Sequence, residues 1–365
     1  MSNNKRLYYA CEDIGIAPDG TNSFVRVHGV QSAGSNVSFN LDAISELGQS
    51  ALYENKEVLP DVQFTAQKVL DGYPLMYHMA TQSSTTGTLQ GRSRAKCLIS
   101  VITFDDTLDS ASGVPQSECL MSGMFPSSIS YTFGVDGNFT EDMTFVGNNR
   151  LWRNTENGAG GPAPLFSGTS INTDTPYAIT GSGGVNRRWN FLFDVNSIQP
   201  LDVNGQVNYN GATILPPDIE GISSSGVNFR NSDGTFKASI QSITASVDLN
   251  RQDIFELGNR NPYFKFVQFP VQVTCAITVN AKKWDNVSAT YYGVADGAGN
   301  NLFNRSIKIK TLEGTFIDLG VKNKLASTDF TLGDTGGQNG TVTYNYTTYN
   351  DFTVKHPQDP NVSLR

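Results

Sequence analysis

A mainly β chain of the α+β kind, built as two similar sandwich- or barrel-like halves in tandem, each with a short helix, is predicted by three observations. The chain repeats itself over a long interval. Its polarity is largely uncharged, and its apolar residues alternate in short runs between glycine-rich turns.

The repeat comes first because it organises the rest. Residues 30–60 (VQSAGSNVSFNLDAISELGQSALYENKEVLP) align without a gap on residues 240–270 (IQSITASVDLNRQDIFELGNRNPYFKFVQFP) at a constant spacing of 210 residues, as from Ile44 to Ile254. Identities include Gln31/Gln241, Val37/Val247, Asn40/Asn250, Tyr53/Tyr263 and Pro60/Pro270. The block Glu46-Leu47-Gly48 matches Glu256-Leu257-Gly258. One residue later, Val62–Ala66 matches Val271–Cys275, and both runs alternate apolar and polar as half-buried strands do. A second match pairs Ser128–Gly134 with Ser327–Gly333. Each is followed by a glycine turn (Asp136-Gly137-Asn138 or Gly336-Gly337-Gln338-Asn339-Gly340) and another strand, which predicts a hairpin in each half. Two matches in the same order indicate a duplicated domain.

The composition agrees. Of 365 residues, 16% are charged and 35 are glycine, so long salt-bridged amphipathic helices are not expected. A net charge of −8 argues against the basic patches of a nucleic-acid binder. The polar start, Met1 to Arg6, reads as no signal peptide, and the most apolar run, Cys97–Phe104, is far too short to span a membrane. Synthesis in the cytoplasm and no membrane partner are expected.

The predicted domains are 1–153 and 186–365, joined by a Gly/Pro/Ser/Thr-rich stretch, 154–185, that reads as an exposed linker or long loop. Helices are expected over Leu70–Thr81 and, as its counterpart, Trp284–Ala295, with Asp285 or Asn286 as a cap. An extra polar segment, Val203–Ser225, has no partner in the first half. Trp152 and Trp189 are expected to pack at the domain junction.

Catalytic chemistry is not expected. His28, His78 and His356 have no nucleophile elbow near them, and His356 is read as part of a polar tail. Cys11, Cys97, Cys119 and Cys275 share no metal-binding or redox spacing and read as buried small hydrophobes. Gly158-Ala159-Gly160-Gly161 and Gly181-Ser182-Gly183-Gly184 lack the flanks of a phosphate loop. The carboxylates at Asp105-Asp106-Asp109 and Asp136-Glu141-Asp142 read as solvated turns. No catalytic, cofactor-binding or metal-binding residue is assigned, and no cofactor is expected. The candidate residues are those the duplication keeps: Glu46, Leu47, Gly48, Glu256, Leu257, Gly258, Pro60 and Pro270, read as turn or interface elements.

Ile44–Gly48 through Pro60-Asp61-Val62, and Leu70–Leu75, resemble the tail tube (major tail) proteins of tailed bacteriophages. Ser130–Phe133 with Glu141–Gly147 and Gly333–Tyr344 resemble the closing hairpins of that family. The resemblance implies a non-enzymatic virion protein that stacks as rings around a lumen through which DNA passes without specific binding. Its expected partners are itself and other tail proteins, such as a sheath, baseplate or terminator. The family generally places six tube domains in a ring, so two per chain imply a trimeric, pseudo-hexameric ring; six chains with the second half outside is the rival. Another tail or baseplate component, such as a terminator or hub, and a β-sandwich binding module are the alternatives.

Overall fold

Strand pairing runs without a break from the first repeat into the second, because one long strand belongs to two sheets. The structure, a computed structural model, describes residues 7–105, 111, 113–154, 162–168, 184–193, 213–222, 238–282, 285, 287–290, 293–295 and 303–359. In the first half these form β1 (Glu12–Pro18), β2 (Val25–Arg26), β3 (Val30–Ser38), β4 (Leu41–Ser45), β5 (Leu52–Glu57) and β6 (Asp61–Val69). Two short helices follow, α1 (Met76–Ala80) and α2 (Leu89–Arg92), then β7 (Cys97–Thr103), β8 (Ser117–Gly134), β9 (Thr140–Gly147) and β10 (Asn149–Asn154). The second half contributes β11 (Ile240–Asp248), β12 (Arg251–Ile254), β13 (Phe264–Val267), β14 (Gln272–Asn280), β15 (Ser288–Thr290), β16 (Gly293–Ala295), β17 (Lys308–Lys310), β18 (Phe316–Asp318), β19 (Lys324–Thr331), β20 (Thr341–Tyr349) and β21 (Thr353–Lys355). The mainly β prediction holds.

The 18-residue β8 is the spine. Its first part pairs with β7 and β10, and its last part with β9 and β11. A bulge between Pro126 and Ser128 separates the two parts, as expected where a strand passes from one sheet to another. On one side lies the sheet β2-β1-β7-β8-β10, over a small core of Cys11, Ala17, Phe24, Leu98, Ile102, Phe104, Leu120 and Phe166. On the other lies an antiparallel run of eight strands, β3-β6-β9-β8-β11-β14-β20-β19. Its inner face belongs to one core spanning both repeats, with Phe64, Phe145, Tyr131, Ile243, Val273 and Tyr344 all buried.

Within that run the two repeats are superposable in order. β3-β6-β9-β8 in the first corresponds to β11-β14-β20-β19 in the second, down to a bulge at Gln31 and Gln241 and another at Ser127 and Ala326. The hydrogen-bond register corrects one part of the sequence alignment. Val37 pairs with Val62, and its counterpart Val247 pairs with Val273, so Val62 corresponds to Val273 and not to Val271. A slip of two residues leaves the inward and outward faces unchanged, so alternation cannot detect it.

The predicted helices fare differently. The first forms, shortened to Met76–Ala80. Glu141, expected in a solvated turn, is instead fully buried on β9, where it accepts hydrogen bonds from the Met76 and Tyr77 amides (2.7 and 3.1 Å) and from the Tyr131 hydroxyl (2.8 Å). Buried Lys68 holds the approach by donating to Asp71 and to the Pro74 carbonyl. At the counterpart positions the second repeat has Val342, Phe330 and Val279, so nothing there satisfies a helix end. The described residues of Trp284–Ala295 form the hairpin β15–β16 instead. Asp285 does not cap a helix: its side chain accepts from the Val287 amide and the Thr328 hydroxyl.

Three further expectations are corrected by burial. Within 154–185, Phe166 is buried against Phe24, and Glu118 receives the Leu165 and Phe166 amides, so the loop is anchored at Phe166 while Pro162, Ala163 and Ser167 around it are exposed; both glycine-rich quartets except Gly184 lie outside the described residues. Within Val203–Ser225, Leu215 and Ile219 enter the main core. His356 is fully buried, 3.1 Å from Glu313, and not in a polar tail.

The C-terminal segment locks the halves together. The Arg92 guanidinium of α2 meets Asp359 at 2.6 Å, and His78 Nε2 of α1 donates to the Val354 carbonyl at 3.1 Å. Burial pulls the His78 imidazole down to about 3, against the opposing pull of Asp359, so it is neutral in the fold. The unfolded chain protonates this group near pH 6.5, and the folded chain does so only near 3. Its contribution is therefore fully present above about 6.5 and is lost as pH falls from there towards 3. We expect the melting temperature to drop across that window. His78→Gln, which retains an amide donor, should flatten the drop when thermal melts are compared from pH 7 to 4.

Candidate assembly interface

The last strand of the first repeat, β8, pairs with the first strand of the second, β11. Partners are Ile129 with Val247, Tyr131 with Ala245 and Phe133 with Ile243 on the core face, and Ser130 with Ser246 and Thr132 with Thr244 on the other. All six core-face residues are buried. An aromatic ring lies opposite a small side chain and a β-branched residue opposite another, which fills the seam without overpacking.

The outer strands of the run have the same sequence positions and no such neighbour. β3 pairs only with β6, and β19 only with β20, among the described residues. Ala33 and Ser35 of β3 are exposed where Ile243 and Ala245 are buried. In the second repeat, Thr328 and Phe330 are half-buried and Leu332 is 69% exposed, where Ile129, Tyr131 and Phe133 are buried. Among the described residues, one end of each repeat is paired with the other repeat, and one end of each kind has no neighbour.

The outward face of the run is polar and nearly free of cations. It carries Gln63, Thr65, Gln67, Ser128, Ser130, Thr132, Thr244, Ser246, Thr274, Thr278, Thr343, Asn345 and Thr347, with carboxylates at Asp61, Asp142, Asp248 and Asp329 and one lysine, Lys324, near an end. A shallow concavity of about 430 Å³ on this face is lined by Gln67, Ser130, Asp142 and Thr144 among others. Hydrogen bonds tie the carboxylates into the surface, as from Gln67 to Asp142 (2.7 Å) and Asn345 to Asp329 (2.8 Å).

The residues singled out by the duplication lie on two hairpin arms. Glu46, Leu47 and Gly48 form the turn between β4 and β5, and Glu256, Leu257 and Gly258 that between β12 and β13. Leu47 and Leu257 are fully exposed, and the glycines hold φ of +95° and +85°, which a side chain would strain. Pro60 and Pro270 stand where each arm returns to the sheet. Because β3 and β11 run the same way in the antiparallel order, both arms leave from one end of the run and the β8–β9 and β19–β20 turns lie at the other.

The base of the second arm is pinned to the first repeat. Arg251 donates to the carbonyls of Pro126 (2.6 Å), Ser93 (2.8 Å) and Lys265 (3.0 Å) and lies over the Phe125 ring. Phe264 meets Phe125 edge-on at 5.0 Å, and Lys96 lies over both rings. Burial pulls the Arg251 guanidinium down to about 9, so it stays charged at neutral pH. Sequence reasoning missed Arg251; the signal available was a charged residue where the first arm has an apolar one, Leu41, but Asp253 in place of Ala43 gives the same signal, so it did not single Arg251 out. Trp152 and Trp189 do not pack at the junction but are 66% and 68% exposed.

No protein-family model matches the chain, and no curated protein matches it. Solved structures to which it is similar include a chain of the PVC sheath-tube complex of an extracellular contractile injection system in the extended state (12% identity, TM-score 0.31, 42% of this chain and 95% of that one). Others are a chain of the anti-feeding prophage tube-terminating cap (12%, 0.30, 42% and 100%) and one of the anti-feeding prophage baseplate (6%, 0.31, 43% and 100%). Likeness at that level assigns no role to this chain.

Removing the Arg251 pin tests the intrachain seam. Arg251→Ala leaves three carbonyls without their donor and should cost about 2–4 kcal/mol in denaturant unfolding. Amide exchange across residues 251–267 should speed up, with β4–β5 unchanged as the internal control.

Proposed function

We propose that the chain is a non-enzymatic structural subunit of a phage-tail-like tube, which closes into a ring by repeating between chains the seam it already makes within itself. The observation that carries this reading is the mismatch in burial. β3 and β19 leave exposed (Ala33, Ser35, Leu332) or half-buried (Val37, Thr328, Phe330) the very positions that β11 and β8 bury against each other. Pairing β19 of one chain with β3 of the next is heterologous, front to back, and such contacts close into rings or run on as helices. Closure would also remove two open strand edges that otherwise invite aggregation.

Two repeats per chain make three chains the count for a six-repeat ring, the number that the resemblance to tail tube proteins implies. The polar, cation-poor face would then line the lumen. Carboxylates there repel a phosphate backbone, so DNA slides without being held. The arms at one rim and the glycine turns at the other supply unlike surfaces through which rings stack, with Leu47 and Leu257 as the exposed apolar tips.

Electron microscopy and native mass measurement test this directly. Rings of three chains with six repeats are expected, stacking into tubes at high concentration or on an initiator. Monomers that form no ring at any concentration would overturn the reading, and six whole chains per ring would overturn the count. Leu332→Asp, at an exposed edge, should abolish rings while shifting the monomer's melting temperature by no more than about 2 °C. Leu47→Ser with Leu257→Ser should leave single rings and block stacking, whereas a terminator-like component would form single rings already as wild type.

A further inference from the structure

The correspondence between the repeats also says what the open seam is made of, and it differs chemically from the closed one. Phe125 of β8 pairs with Val146 of β9, and the matching place on β19, opposite Thr347 of β20, is Lys324. Phe264 of the second arm pairs with Ile254, and the matching place in the first arm, opposite Ile44, is Glu54. Both Glu54 and Lys324 are exposed. The aromatic contact Phe125–Phe264 at the base of the second arm therefore has, at the open seam, a carboxylate and an ammonium as its counterparts. Leu41 replaces Arg251, so the threefold carbonyl pin is absent there as well.

We propose that Glu54 of one chain pairs with Lys324 of the next, and that this contact selects the correct edge partner and makes ring closure, unlike the seam within the chain, dependent on salt. The inference rests on the head-to-tail ring described above. In that register Val37 faces Thr328, Ser35 faces Phe330 and Ala33 faces Leu332. This again sets a small side chain against an aromatic one, as Ala245 faces Tyr131 within the chain. The open seam buries smaller and more polar side chains than the closed one, so a charge pair at its rim weighs more in the choice of partner. Opposite charges there steer the two edges together, and any edge that presents a like charge at the same place is penalised.

A charge swap decides the matter. Glu54→Lys and Lys324→Glu should each weaken ring formation about tenfold or more, measured by sedimentation at low salt, and the double variant should recover most of it. Wild-type rings should loosen as salt rises from 50 to 500 mM, while the monomer's melting temperature, read in each variant, stays put. Single variants that assemble like wild type, or a double variant no better than either single, would overturn the pair while leaving the ring reading intact. A wild-type protein that forms no ring would overturn both.

Discussion

An antiparallel sheet that does not close on itself ends in two rows of unpaired amides and carbonyls, and almost everything distinctive in this chain follows from where those rows fall. The eight-stranded run starts at β3 and stops at β19. Between them the chain has already solved the edge problem once, by letting β8 of the first repeat pair with β11 of the second. That solution requires β8 to leave its other sheet, which is why the strand is long and carries a bulge after Pro126. It also fixes the two repeats in one core, which the C-terminal segment then locks from below through Arg92–Asp359 and His78.

The repeats have diverged where their surroundings differ. In the first, Glu141, Lys68 and Tyr131 form a buried polar group that organises the turn of α1. In the second, valines and a phenylalanine fill the same places and the segment opposite is a hairpin. Buried charge is costly unless every group is partnered, so such a set survives or disappears as a unit. The three substitutions are one structural change, and they explain why a duplicated sheet carries different cover on its two halves.

Much of this was legible in the residues. The repeat, the two hairpins at Ser128–Gly134 and Ser327–Gly333 and the arm turns at Gly48 and Gly258 announce themselves through identity, alternation and glycine placement. What was not legible has physical causes. The correspondence of Val62 to Val273 is two residues from the best sequence match, and a two-residue slip is silent in any pattern of period two. The burial of His356 and Phe166 depends on long-range partners, Glu313 and Phe24, which composition around either residue does not reveal. Helix propensity over Trp284–Ala295 was overridden because the cap that sustains the first helix comes from a distant strand.

The same logic bears on why the two seams should not be equally strong. A seam within a chain is held at the high effective concentration of its own linker, and it can be apolar because it is never exposed once the chain has folded. A seam between chains is exposed for as long as the subunit waits. Ile243, Ala245 and Val247 against Ile129, Tyr131 and Phe133 would be a hazard on a free edge. Of their outer counterparts, Val37 is unchanged from Val247, while Ala33 and Ser35 on one strand and Thr328, Phe330 and Leu332 on the other are smaller or more polar, with Asn36 and Asp329 on the solvent side. The trade keeps the waiting subunit soluble and leaves closure to the cooperation of several weak seams, so that partner choice rests on geometry and charge more than on apolar burial.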